Sequence, residues 1–185
     1  PGSPSSGVLI SGVLQGAGTL TSGTNPGSAI FQPSAIINPG NSIGTLTIDA
    51  PTTFTKGVTL RAEVDPAAGQ NADLLAVNSP VSGANNLTIL VEPSNPAAIA
   101  SDYVAANNYV VLTGTSIDGD SPTVTEGGNL PALVNVAIVG TPSASNQVAL
   151  AFTEVPVTQL AKQQAVTQTG NPNHANLSTI PATIS

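Results

Sequence analysis

The chain has 185 residues, no cysteine, and three cations against ten carboxylates, for a net charge of −7. That balance excludes a nucleic-acid or anionic-membrane binder, since both need a basic footprint that Lys56, Arg61 and Lys162 are too few to make. The missing cysteine excludes disulfides and thiolate chemistry. Charged residues make up 7% and aromatic residues 3%, against about 25% charged in an average domain. The polar surface is therefore Ser, Thr, Asn, Gln and Gly, which suit strands and turns.

The opening "PGSPSSG" is low-complexity, and no basic leader followed by an apolar stretch begins the chain. From Ser5 to Gly23, the apolar patches Val8-Leu9-Ile10, Val13-Leu14 and Leu20 are separated by Gly and Ser, so strands here are only three or four residues long. "AIF" at Ala29–Phe31 and "AII" at Ala35–Ile37 follow. Pro39-Gly40 and Gly44 then force turns, and Leu46 and Ile48 alternate with Thr45 and Thr47.

Clean period-two alternation predicts half-buried strands at Val58–Val64, Leu87–Val91, Val134–Ile138 and Val148–Phe152. "DLLAV" at Asp73–Val77 and "YVVLTG" at Tyr109–Gly114 are more continuously apolar, as expected of strands covered on both faces. About a dozen short strands result, with helical spacing only at Leu160 and Val166. No apolar run approaches the roughly 20 residues of a membrane-spanning helix. The class is all-β. A parallel β-helix suits the short strands and aliphatic composition; a β-sandwich is the alternative, above all between Thr53 and Phe152, where strands are longer.

Catalytic and metal chemistry find little to work with. His174, the sole histidine, sits in a polar tail and reads as a solvated imidazole. There is no Gly-x-Ser-x-Gly elbow, phosphate loop or His-rich metal spacing, so no catalytic, cofactor or metal residue is assigned and the chain is read as non-enzymatic. Asp118-Gly119-Asp120-Ser121 has two carboxylates that a calcium site would use, but a tight turn explains it better. The sequons at Asn86 and Asn176 are what chance supplies in a chain this rich in Asn, Ser and Thr.

A family pattern emerges from four elements in order. Pro39-Gly40-Asn41-Ser42-Ile43-Gly44-Thr45-Leu46-Thr47-Ile48 comes first, then Gly57-Val58-Thr59-Leu60, then Asp73-Leu74-Leu75-Ala76-Val77, then the strand begun by Tyr109. Together they resemble the passenger-associated repeat region of Gram-negative autotransporters, whose coil begins "PG-x-S-x-G-T-L-T-[VI]".

The resemblance implies a right-handed parallel β-helix over 1–152, ending in a capping autochaperone region, with 153–185 as a linker. Leu160-Ala161-Lys162-Gln163-Gln164 stands where the family carries "L-A-x-T-x-N-Q". The role implied is the stem and folding nucleus of a type V secreted passenger at the outer-membrane cell surface, most plainly of an adhesin. Its implied partners are its own membrane β-barrel, expected outside this chain, together with host surface components or further copies of itself. The alternative function is the same stem carrying a protease or lipase upstream.

Overall fold

The computed structural model describes residues 7–21, 27–106, 108–127, 130–131 and 134–156. Two compact units are present, Pro1–Glu154 and Val155–Ser185. Every strand and helix described lies in the first; of the second, Val155 and Pro156 are described and belong to neither.

The strands come in threes. β1 (Val8–Ile10), β2 (Val13–Gly16) and β3 (Gly18–Thr21) are followed by β4 (Ala29–Phe31), β5 (Ile36–Pro39) and β6 (Thr45–Asp49). Next come β7 (Thr52–Phe54), β8 (Val58–Val64) and β9 (Leu74–Val77), then β10 (Pro80–Ser82), β11 (Leu87–Pro93), α1 (Ala100–Ala106) and β12 (Tyr109–Thr113). β13 (Ser116–Ile117), β14 (Thr123–Glu126), β15 (Val134–Val139), α2 (Pro142–Ser145) and β16 (Gln147–Glu154) complete the set.

The all-β expectation holds, and the pairing is mostly parallel. The first sheet runs β1-β4-β7-β10-β13, the second β2-β5-β8-β11-β14, and the third β3-β6-β9-β12-β16-β15. Each strand through β14 pairs in parallel with the strand three places away in the chain. No hairpin joins the long strands β8 and β11, which run side by side from Leu87↔Val58 to Pro93↔Val64. Among the described strands the ladders turn antiparallel at β12–β16 and β16–β15, with a register shift between Val110 and Leu112.

Alternation in the sequence becomes alternation in burial. Val58, Leu60, Ala62 and Val64 are buried while Thr59, Arg61 and Glu63 are not, and β11 repeats the pattern one strand over. Parallel register then stacks like on like: Ile37, Leu60 and Ile89 are in line and fully buried, and Phe31 packs on Phe54 with ring centroids 5.6 Å apart. Burying such side chains contributes roughly 1.5–3 kcal/mol each.

Two expectations need correction. β9 is not covered on both faces: Leu75 and Val77 are buried, but Leu74 and Ala76 only half so. The helix α1 carries no clear period in sequence. It forms because the Ile99 N–H donates to Asp102 Oδ2 at 2.9 Å, half of a capping box, and because Ala is the best helix former. The helical spacing at Leu160 and Val166 lies outside the described residues.

The first four connections from the second sheet to the third lengthen along the chain, and the last, from β14 to β15, falls back to seven residues. One residue separates β2 from β3, five separate β5 from β6, nine separate β8 from β9, and fifteen separate β11 from β12.

Candidate functional site

The conspicuous polar arrangement lies where the connection 40–44 meets the connection 65–73. Gly40 is buried with φ +83°, and a Cβ there would strike the Ser42 carbonyl oxygen, so this turn requires glycine. Gly44 is bonded on both sides. Its N–H donates to Asp73 Oδ1 at 2.8 Å, and its carbonyl accepts from Leu74 N–H at 2.9 Å and Gln70 Nε2 at 3.0 Å. Gln70 Nε2 also donates to the Ala72 carbonyl at 2.9 Å and to Thr45 Oγ1 at 3.2 Å.

Asp73 is the centre of this clasp. It is 1% exposed, and its second oxygen accepts the Glu63 N–H at 3.0 Å, while its own N–H donates back to the Glu63 carbonyl at 2.9 Å. Burial pushes its carboxyl up to about 6; the two N–H donors pull the other way, and the nearby Glu63 charge adds to the rise. Both oxygens accept backbone N–H groups, so the carboxyl ties the start of β6 and the strand β8 to the connection 65–73.

The residues singled out by sequence fall at successive levels of the sheets. Gly40, Gly44, Thr45 and Asp73 converge on the clasp, and Pro39 ends β5 just before it. Asn41 and Ser42 are exposed on its turn, with Asn41 Oδ1 accepting from Gln15 Nε2 at 3.4 Å. Leu46 lies over Leu75, Thr47 over Ala76, and Ile48 over Val77. Leu60 is in the second sheet, and Tyr109 opens β12, paired with Leu150.

Sequence reasoning missed Gln70 and Tyr103, and placed Phe152 on the apolar face of its strand without the ring cluster it joins. Around Phe152, Tyr109 stands edge-on at 4.8 Å and Tyr103 at 5.2 Å. The Tyr109 hydroxyl donates to the Tyr103 carbonyl at 3.1 Å, while the buried Tyr103 hydroxyl has no hydrogen-bond partner among the described residues. Burial raises both phenols above the usual tyrosine range, with the charges of Asp65 and Asp102 adding to it.

An open groove of about 440 Å³ lies between the connection 65–73 and α1, lined by Pro66, Ala67, Asn95, Ala98, Asp102 and Ala106 among others. Its polar side chains bond to one another and to nearby backbone. Asn95 donates to Asp65 Oδ1 at 3.1 Å and accepts the Ala97 N–H at 3.0 Å, and Asp102 caps α1. Among the described residues, no group of three His, Cys, Asp or Glu side chains is placed to hold a metal ion.

Asp118–Ser121 lies in the turn between β13 and β14, where Asp118 Oδ1 accepts the Gly83 N–H at 2.8 Å. Asn86 Nδ2 is tied to the Phe54 carbonyl at 3.1 Å. His174, the segment 160–164 and the sequon at Asn176 lie outside the described residues. No known family model matches the chain, and no curated protein matches it.

Proposed function

We propose that this chain is a right-handed parallel β-helix acting as the stem and folding nucleus of an autotransporter passenger, exported to the Gram-negative cell surface, where the passenger serves adhesion to host surfaces or to other copies. The observation that carries the reading is the strand order: three sheets each take every third strand in parallel, and one sheet then closes with antiparallel β16 and β15. A winding chain of this kind buries its apolar faces only against the next level. A stable closing segment therefore lowers the cost of starting the stack.

The clasp supports a structural role. Its buried carboxylate accepts two backbone N–H groups, and the described residues around it include no nucleophile beside a base. The test is deletion of residues 107–152 from a surface-displayed passenger carrying this chain. Protease sensitivity of the displayed protein is expected; unchanged resistance would defeat the folding-nucleus reading.

A further inference from the structure

The third sheet ends on the six-residue strand β15, whose outer side pairs with no other strand among the described residues. Its sequence, Val134-Asn135-Val136-Ala137-Ile138-Val139, has no charge and no proline, and Val139 is 47% exposed. Exposed edges of this kind invite pairing with another chain, and proteins block them with charge. Here the block is one side chain: Glu126 Oε1, from β14, accepts the Val136 N–H at 3.1 Å.

That bond fixes which groups face outward. Antiparallel ladders alternate, so if the Val136 N–H points away from β16, those of Val134 and Ile138 do too. Val134 donates to the Pro131 carbonyl at 3.1 Å, and Ile138 has no acceptor on that side among the described residues. We propose that the outer edge of β15 is a docking edge for β15 of a second copy of this chain, and that Glu126 holds it shut in the monomer.

A two-fold axis at Val136 makes the two edges self-complementary. The Val136 N–H and carbonyl groups exchange across it, Ile138 meets Val134 of the partner subunit, and Asn135 faces Ala137 of the partner subunit. Length favours this occupant, since the far edge of the same sheet, β3, has four residues and β13 has two. Charge favours it too. An uncharged strand meets its own copy without repulsion, whereas the two Glu126 carboxylates would meet near the axis.

Light scattering on the full chain tests this. Wild type and the neighbouring Thr125→Ala variant run as monomers, Glu126→Ala doubles in mass, and Glu126→Gln, whose amide oxygen still accepts the Val136 N–H, stays monomeric. Adding Ile138→Pro to Glu126→Ala restores the monomer, because proline removes an outward N–H that the β15–β16 ladder does not use. Mixing Glu126→Ala/Asn135→Cys with Glu126→Ala/Ala137→Cys gives a disulfide-linked pair in a protein otherwise free of cysteine. A monomeric Glu126→Ala that retains its circular dichroism, an open-ended polymer, or a dimer that survives Ile138→Pro would each overturn the proposal.

Discussion

The levels between β4 and β11 and the segment from α1 to β16 solve the same problem in opposite ways. In the first region every strand leans on a parallel copy of its own pattern, and the buried side chains are aliphatic ladders with one Phe31–Phe54 pair. In the second, the direction reverses, the register slips near Val111, and three aromatic rings fill the space beside α1. Repetition gives a structure no reason to stop. In this segment parallel repetition gives way to reversed strands, a short helix and three of the chain's five aromatic side chains.

Substitutions in the two regions should therefore differ in size and reach. Phe152→Ala empties the middle of the aromatic cluster and should cost about 3–5 kcal/mol. Both tyrosines of the chain flank that ring, so tyrosine fluorescence reads the closing segment while circular dichroism reads the sheets. Coincident denaturant transitions by the two probes would show that the regions unfold as one; separated ones would divide them.

Gly40→Ala strikes the parallel levels instead. A left-handed alanine costs ~1–2 kcal/mol, and forcing its Cβ against the Ser42 carbonyl adds about 1–3 kcal/mol. A lowered urea midpoint with the tyrosine signal still native at low denaturant is expected if damage stays local to the turn.

Asp73→Asn keeps the shape of the clasp but sets an NH2 group against one of two N–H donors, at a cost of about 1–3 kcal/mol near neutral pH. The carboxyl is raised from 3.8 to about 6 in the folded protein, so between those values the native state binds the proton more tightly than the unfolded chain. Its contribution to stability is greatest below about pH 4, declines as pH rises to about 6, and is flat above. Urea midpoints of wild type minus those of Asp73→Asn, taken across that range, isolate this effect, and a difference that does not change with pH would refute it. Smallest is Arg61→Ala. It removes the 2.6 Å contact with Glu92 on a partly exposed face, worth about 0–1 kcal/mol and weakened by salt.

What was legible in the sequence was the period. Val58–Val64 and Leu87–Pro93 announce their buried faces because a half-buried strand has no other economical pattern. Gly40 and Asp73 were visible as positions, but the clasp was not. Asp73 reaches Gly44 and Glu63 across two different connections, and Gln70 completes it with an ordinary exposed amide. Residues 100–106 hid their helix because its capping residue, Asp102, points back to the Ile99 N–H from three residues downstream. The reversal at β16 was equally silent, since alternation along a strand is the same whichever way its neighbour runs.

The lengthening of the first four of these connections, from one residue to five, nine and fifteen, has a consequence for how such a chain can change. Sequence added there leaves strand register untouched, because the ladders on either side are fixed by their own neighbours. Novelty can accumulate along a single seam while the scaffold stays put. Gly69, where nothing lies within 4 Å of an added Cβ, is the natural point at which to graft a foreign peptide and display it.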